Sequence, residues 1–356
     1  MKILVYLGTG GVGKTSVAAA TALAQAREGR KSLVLTIDPA WRLRTALRLE
    51  GDALEQSVAL DPPAAGELWA ALLDVRATLD EAVRLYSKAG MAGRILNHPI
   101  YKTIADSLAG MQELMAVERI DQLRRRGFEH IVVDTAPSRH ALEFLDKPMF
   151  FSDLVGSGWV KLVGRTYRLV SKTGMMTLGR KTIDLYARLE SILGANLVRQ
   201  ILDFYSIFIS IAEGYAERAQ KTVALLKDPS VTEFRVVTTP QKAMRDARYF
   251  VDALRARNFH AGAMYVNRTW GVEPAGEPQS EMTRRLMEWY ASVHRAHLDD
   301  VQNVRREFRG SIPHIHWLPE LDRDVDGIEA LEMIAKALEA TSLQNPPTPH
   351  TVGGPK

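Results

Sequence analysis

The feature that most constrains this chain is a glycine-rich loop close to its start. Residues Gly8–Thr15 read Gly-Thr-Gly-Gly-Val-Gly-Lys-Thr and fit the pattern G-x-x-x-x-G-K-[ST]. The apolar run Ile3–Leu7 precedes the loop, and a helical pattern over Thr15–Glu28 follows it. This succession of strand, glycine-rich loop and helix predicts an α/β fold that begins with a phosphate-binding turn.

The residue types in the loop suit the phosphates of a nucleotide. Glycines let successive backbone amides turn inward around phosphate oxygens, and the following helix N-terminus adds positive potential. We expect Lys14 to reach the β- and γ-phosphates and the Thr15 hydroxyl to ligate Mg²⁺. The alternative is a glycine turn without a ligand. The candidate binding residues are Gly8, Thr9, Gly10, Gly11, Val12, Gly13, Lys14, Thr15 and Ser16.

The rest of the chain alternates short apolar runs with helical patterns, as at Ala243–Arg257 and Ile328–Leu338. Most runs lack clean alternation of apolar and polar residues, which is typical of strands buried on both faces. We therefore expect an α/β fold with a doubly wound, mostly parallel sheet. The predicted strands are Ile3–Leu7, Ser32–Ile37, Leu68–Leu73, His130–Asp134, Phe234–Thr238, Ala263–Val266 and His314–Leu318.

Two stretches interrupt this alternation and predict an inserted helical subdomain. Residues 74–126 are mostly helical in pattern, and residues 150–227 contain no convincing strand. We expect one ATPase-type P-loop domain over residues 1–340, with a helical subdomain at about 75–127 and 150–228 inserted in it. Residues 341–356 contain four prolines and two glycines, which predicts a disordered tail.

Composition excludes several classes of function. The chain has 356 residues and no cysteine, which rules out disulfide frameworks, thiolate zinc sites and cysteine nucleophiles. No window reaches roughly 18 uncharged apolar residues, and the first apolar run is too short for a secretory signal. We therefore expect a cytoplasmic protein.

Two aspartates at predicted strand ends are the expected acidic partners of the loop. Asp134 ends one buried run, and Asp38 ends another and is followed by Pro39. Both would lie where the carboxyl ends of parallel strands bind ligands. We expect Asp134 to order Mg²⁺-bound water and Asp38 to be the second acid near the metal. Alternatively, either aspartate only caps a following helix.

Three motifs in order resemble one known family. They are Gly10–Thr15, Asp38–Ala40 and Asp134–His140. Together they are similar to the arsenical-pump or anion-transporting ATPase (ArsA-like) family, whose relatives include the eukaryotic factor that targets tail-anchored membrane proteins. The segments Val237–Pro240 and Leu318–Val325 also match, so the resemblance covers about residues 1–340. It implies an ATPase that uses ATP, ADP and Mg²⁺.

The resemblance also implies roles for single residues. Asp38 matches the switch I aspartate that activates the attacking water, and Asp134–His140 matches switch II, which reports the nucleotide state. Asn267 matches an asparagine at a strand end that recognises adenine, and Pro319 lies in the matching adenine-side loop. From the residues alone, Asn267 would be an ordinary strand-end cap.

The sequence departs from the family at a charged position and at the cysteines. The family's loop usually carries a second lysine where Thr9 stands, and that lysine crosses a dimer interface to the partner's phosphates. Hydrolysis is therefore expected to be slow, to use another cation, or to need a partner that has the lysine. Arg139, which replaces the switch II glycine, is a candidate for that cation, and the alternative is a solvated or structural arginine. The cysteines that hold zinc in the targeting factor, or arsenite in the pump, are missing. We expect no zinc site and no arsenite extrusion by that chemistry.

Positive charge is concentrated in the predicted helical insertion. Residues 151–200 hold eight basic and three acidic residues, interleaved with apolar side chains. Such a segment suits a pliable groove for a hydrophobic client or partner protein, or contact with a membrane surface. The alternative is that these side chains pack on their own core while the charges are solvated.

One main hypothesis and two rivals follow. The main hypothesis is a Mg-ATP-hydrolysing dimeric switch, a homodimer or a heterodimer of paralogues, whose nucleotide state repositions the helical subdomain. One rival is a nucleotide-binding regulatory subunit with little turnover. The other is a partitioning ATPase of the ParA/MinD-like class. No specific nucleic acid is expected as a partner, and peripheral association with a membrane stays open.

Overall fold

One sheet of eight strands organises the chain. The computed structural model describes residues 1–38, 42–51, 53–106, 112–136, 142, 191, 194–270 and 279–340. The strands are β1 (Lys2–Leu7), β2 (Lys31–Thr36), β3 (Glu55–Val58), β4 (Glu67–Leu72), β5 (His130–Asp134), β6 (Thr232–Thr238), β7 (Ala261–Thr269) and β8 (His314–Pro319). Their order in the sheet is β3-β4-β2-β5-β1-β6-β7-β8, and every neighbouring pair is parallel except β3 with β4. The expected doubly wound, mostly parallel α/β fold is confirmed.

Helices connect and cover these strands. A π-helical turn (Ala243–Ala247) lies between the short helix Pro240–Lys242 and the helix Arg248–Ala256, where the sequence pattern predicts one regular helix. In the described part of the chain, no helix has the length and apolar character needed to cross a membrane. The helices are α1 (Lys14–Arg27), α2 (Arg42–Leu47), α3 (Val75–Tyr86), α4 (Ala92–Leu96), α5 (Pro99–Asp106), α6 (Gln112–Arg124), α7 (Ala195–Lys227), α8 (Pro240–Lys242), α9 (Arg248–Ala256), α10 (Glu281–Phe308) and α11 (Ile328–Ala340).

The central strands are buried because helices cover both faces of the sheet. In β1, residues Ile3–Leu7 are all at most 5% exposed, as expected for a strand of a covered parallel sheet. In α1, the residues Ala18, Ala19, Ala20 and Ala22 are fully buried, since their small side chains let the helix lie close against the strands. This packing fixes the start of α1 directly above the end of β1.

The strand register brings three strand ends to one edge of the sheet. Tyr6 of β1 and Thr36 of β2 both lie opposite Asp134 of β5. The backbone N–H of Ile37 also donates to the Asp134 carbonyl over 2.8 Å. Because the three strands are parallel, the loops that follow them leave from the same edge, which is where ligands bind in such folds.

The chain divides into two compact units. The first comprises Met1–Leu73, Leu123–Leu142 and Leu225–Lys356, and the second comprises Asp74–Gln122 and Glu143–Ala224. In the second unit, the Tyr86 hydroxyl donates to Glu118 over 2.7 Å and Gln122 donates to the Thr78 carbonyl over 3.2 Å, so that α3 and α6 are joined. The predicted tail 341–356 and most of the basic segment 151–200 lie outside the described residues.

Candidate functional site

The glycine-rich loop has a backbone that only glycine tolerates at several positions. Gly11 and Gly13 have φ angles of 77° and 84°, in the left-handed region that favours glycine. A Cβ atom at Gly8 would lie 2.5 Å from the Val237 carbonyl oxygen of β6. The loop therefore turns tightly between β1 and α1, and its amides come together at the N-terminus of α1.

Two side chains from outside the loop hold its backbone carbonyls. The Asn267 amide Nδ2, at the end of β7, donates to the Val12 carbonyl over 3.0 Å. The Lys242 ammonium donates to the Gly10 carbonyl over 2.9 Å. These contacts hold the loop from the β6 and β7 side of the sheet.

The Thr9 side chain points to the π-helical turn. Its hydroxyl donates to Asp246 Oδ2 over 2.9 Å, and Asp246 is 4% exposed. The exposed Arg245 guanidinium donates to the other Asp246 oxygen over 2.9 Å. The position at which the family usually has its second lysine is thus occupied by a threonine that is bound within this chain.

The centre of the site is a buried cluster around Asp134. Lys14 Nζ lies 3.4 Å from Asp134 Oδ1, while the hydroxyls of Thr15 and Thr36 donate to Oδ2 over 2.7 and 3.2 Å. Asp134 is completely buried and Lys14 is 4% exposed. Burial raises the pKa of the Asp134 carboxyl, and the Lys14 ammonium and the Thr15 hydroxyl oppose part of that rise.

This cluster fits a hydrated Mg²⁺ ion. Asp134 Oδ1 is buried and accepts no hydrogen bond from the described residues. Mg²⁺ prefers hard oxygen ligands and usually binds through one or two carboxylates, water and substrate phosphates. The Asp134 carboxylate and the Thr15 hydroxyl are hard oxygen ligands of this kind. The described residues hold no group of three or more His, Cys, Asp or Glu side chains that could form a metal site by itself.

Asp38 follows β2 at the same edge. It is 6% exposed, and its Oδ2 atom lies 3.7 Å from Arg42 Nη1 at the start of α2. The Thr36 hydroxyl, which donates to Asp134, is also 3.5 Å from the Asp38 carbonyl oxygen. The Thr36 side chain therefore lies between the Asp134 carboxylate and the backbone of Asp38.

Two adjoining cavities surround the loop. One, of about 870 Å³, is lined by residues that include Lys14, Thr15 and Arg42. The other, of about 540 Å³, is lined by residues that include Asn267 and Pro319. The first suits phosphates and the second suits a base, and both are of a size typical of ligand sites. They share Gly13, Ser16, Arg268, Asp324 and Val325 along their border.

The structure brings most of the candidate site residues together. Asp134 contacts Lys14 and Thr15, and Asp38 lies 3.7 Å from Arg42, whose side chain lines the larger cavity. Asn267 and Pro319 line the smaller cavity. The loop residues that line the larger cavity are Thr9, Gly11, Gly13, Lys14, Thr15 and Ser16. Their binding and catalytic roles stay predictions. Pro39, Ala40 and residues 137–141, with Arg139 and His140, fall outside the described residues.

Three polar residues near the loop are not found by reading motifs. They are Arg42, Lys242 and Asp246, which come from α2, α8 and the π-helical turn. Arg42 follows the Asp38–Ala40 motif closely in the sequence, so its proximity to that motif is a signal that could have identified it. Nothing in the sequence near Lys242 or Asp246 points to a loop more than 200 residues earlier.

Comparison with known proteins supports the resemblance drawn from the motifs. A family model described as "Anion-transporting ATPase" matches residues 1–340. The putative arsenical pump-driving ATPase 1 of Aquifex aeolicus (strain VF5) is 24% identical over 346 residues, which are 95% of this chain and 78% of that protein. ATPase ARSA2 of Chlamydomonas reinhardtii is 26% identical over 348 residues, with 96% and 85% covered. ATPase GET3 of Podospora anserina is 23% identical over 340 residues, with 93% and 88% covered.

Proposed function

Because the chain belongs to the anion-transporting ATPase family and is an ATPase of that class, we propose that it is a cytoplasmic, Mg-ATP-dependent molecular switch. It works as a dimer, formed with a second copy or with a paralogous ATPase. Its nucleotide state repositions a helical subdomain that engages a hydrophobic client or a partner protein. The observation that carries the proposal is the buried contact of Lys14 and Thr15 with Asp134, at the end of a glycine-rich loop.

Each group at this edge has a task in ATP hydrolysis. The loop amides and Lys14 bind the phosphates, while Thr15 and Asp134 hold Mg²⁺ and its water. When bound, Mg²⁺ neutralises charge on the phosphates. Asp38 orients the attacking water through its carboxylate. Asn267 and Pro319 border the cavity that accepts the base.

Chain connectivity supports a link between nucleotide state and the second unit. The chain passes into the second unit at Asp74, just after β4 ends at Leu72, and again at Glu143, soon after β5 ends at Asp134. Both of these crossings follow the carboxyl ends of parallel strands, which form the edge that carries the candidate site. A change at Asp134 upon hydrolysis is therefore close in sequence to the start of the second insertion.

Steady-state hydrolysis by the purified full chain tests the catalytic part of the proposal. We expect Mg²⁺-dependent release of phosphate from ATP, with sedimentation showing a dimer when a γ-phosphate mimic is bound. The control is Lys31→Ala, which changes a half-buried lysine, paired with Glu67, at the opposite end of β2. An absence of nucleotide binding in the parental protein would contradict the proposal as a whole.

A second candidate function is a nucleotide-binding regulatory subunit with little turnover of its own. The observation that favours it is the threonine at position 9. Thr9 stands where the family usually has its second lysine, and its hydroxyl is bound to Asp246. Adding a lysine-bearing paralogue separates the two functions. Little turnover by the pure chain together with a large rise upon mixing favours the regulatory subunit, whereas turnover by the pure chain that the paralogue leaves unchanged favours a switch formed by two copies.

A further inference from the structure

The proposed phosphate site has a charge requirement that Lys14 alone does not meet. ATP carries up to four negative charges on its phosphates, of which a bound Mg²⁺ would offset two, and further charge develops on the γ-phosphate oxygens during transfer. Lys14 is buried against Asp134, so part of its charge is offset there. Thr9 brings no charge to the loop. A second cation near the γ-phosphate would therefore have to come from elsewhere.

Arg42 is placed to be that cation. Its side chain is 55% exposed, lines the larger cavity together with Lys14 and Thr15, and approaches Asp38 Oδ2 to 3.7 Å. The next arginine of α2, Arg44, instead donates to the carbonyls of Gly51 and Ala53. Within the described part of this helix, Arg42 is the arginine that lines the cavity.

Among the described residues, Arg268 and Lys242 also lie near the loop, but at different positions. Arg268 borders both cavities, so it stands at the junction between phosphates and base. Lys242 binds the Gly10 carbonyl. In a phosphate loop the amides point inward and the carbonyls outward, so Lys242 lies on the outer side. Arg42 differs from both because it lines the larger cavity together with Lys14 and Thr15 and also lies 3.7 Å from the Asp38 carboxylate.

We propose that Arg42 is the second phosphate-binding cation of this site, supplied by the same chain, and that it binds the γ-phosphate during hydrolysis. The inference rests on the proposed ATPase function. A guanidinium has five N–H donors, so Arg42 can keep its contact with Asp38 while it donates to phosphate oxygens. It thereby fills the role that Thr9 cannot, without a lysine from a partner.

The chemical step defines where Arg42 acts. The water oxygen forms a bond to the γ-phosphorus while the bond from that phosphorus to the β–γ bridging oxygen breaks. ADP leaves with the bond's electron pair, and both protons of the water end on the released phosphate. Negative charge grows around the bridging oxygen and the γ-phosphate, so a guanidinium there stabilises the transition state more than bound ADP.

Arg42→Gln and Arg42→Lys test this role in the full chain. We expect Arg42→Gln to lower kcat by about 10²-fold. The affinity for ADP should stay the same, while the affinity for a complex of ADP with beryllium fluoride or aluminium fluoride should fall by about tenfold. Arg42→Lys should restore part of both losses because it keeps the charge. Arg44→Gln, an equal change on the same helix, should match the parental protein.

Three results would overturn the proposal. The first is an equal loss of affinity for ADP and for the fluoride complexes, which would place Arg42 away from the γ-phosphate. The second is unchanged kcat and unchanged affinities in both Arg42 variants. The third is a large fall in kcat for Lys242→Gln but not for Arg42→Gln, which would assign the second cation to Lys242. If the ATPase proposal itself fails, the parental protein binds no nucleotide, and that result is separate from all three.

Discussion

The phosphate side and the base side of the candidate site are built in different ways. On the phosphate side, Lys14, Thr15 and Asp134 are buried and already bind one another. On the base side, Asn267 is half-buried and Pro319 is exposed. The side chains on the phosphate side are therefore held by buried contacts with one another, whereas the base side has more exposed residues.

Because of this difference in burial, we expect one side of the site to determine folding stability and the other to determine nucleotide selectivity. Changes on the phosphate side remove partners from buried charges, so they should alter both folding and turnover. Changes on the base side touch exposed or half-buried groups, so they should alter the choice of nucleotide with little effect on folding. The following substitutions test this contrast, from the largest expected effect to the smallest.

Lys14→Ala should have the largest effect. We expect a loss of turnover of about 10³-fold, because the cation at the phosphates is removed. The variant should also lose about 3 kcal/mol of unfolding free energy, since the buried Asp134 carboxylate loses its partner. Phosphate release and urea unfolding measure the two losses, with Lys31→Ala as the control. Full stability together with lost turnover would break the contrast between the two sides.

Asp38→Asn should lower turnover by about 10²-fold through loss of its charge near the attacking water. ADP should bind as tightly as it does to the parental protein, because Asp38 is assigned to the water and not to the diphosphate. Single-turnover kinetics and equilibrium binding of a fluorescent ADP measure the two quantities. Parental turnover in this variant would remove Asp38 from the catalytic step.

Asn267→Ala should change nucleotide selectivity. The amide Nδ2 is bound to the Val12 carbonyl, so Oδ1 is the atom that can turn to a base. A carbonyl oxygen accepts from the amino group of adenine and repels the carbonyl of guanine. We expect the preference for ATP over GTP to fall about tenfold, the size of one hydrogen bond. Arg323→Gln, an exposed residue of the same rim, is the control. Equal loss of ATP and GTP affinity would show that Asn267 supports the loop but does not select the base.

Asp134→Asn should change the pH dependence of folding, and this pH-dependent part should be the smallest of the expected effects. The folded-state pKa of Asp134 is raised by burial, so the folded state of the parental protein holds this proton more tightly than the unfolded state. Parental stability therefore falls as pH rises from the unfolded-state pKa through the folded-state pKa. Because asparagine does not titrate, the variant should gain relative to the parental protein as pH rises over that range.

Urea unfolding of both proteins without nucleotide and Mg²⁺, at about pH 4 and about pH 7, measures this difference. We expect a change on the order of 1 kcal/mol, the size typical of a single substitution. A stability difference that is the same at both pH values would contradict a raised pKa for Asp134.

Much of the sheet could be predicted because its strands are apolar runs buried on both faces. All seven strands predicted from these runs are present, with ends that differ by at most three residues. The strand β3 was missed because Glu55–Val58 is short and lacks a buried residue. It pairs antiparallel with β4 at the sheet edge, where its side chains are half-buried or exposed. Its sequence therefore lacks the apolar run that marks the other strands.

The site was predictable only where a motif fixes the local backbone. The glycine pattern and the strand-end aspartates indicate the Lys14–Thr15–Asp134 cluster, because neighbouring parallel strands bring their ends together. The contacts of Thr9 with Asp246 and of Gly10 with Lys242 depend on tertiary packing between distant segments. The same holds for the bond that ties Asn267 to Val12.

The central claim, that nucleotide state acts on the second unit, is tested most directly by hydrogen–deuterium exchange of the full chain. Exchange is measured without nucleotide, with ADP, and with ADP plus beryllium fluoride, in the parental protein and in Lys14→Ala. The account predicts that amides of α3 in the second unit change their exchange when the γ-phosphate mimic binds but not with ADP, and that Lys14→Ala abolishes this change. Identical exchange of the second unit in all three states, with protection confined to the loop and α1, would contradict it.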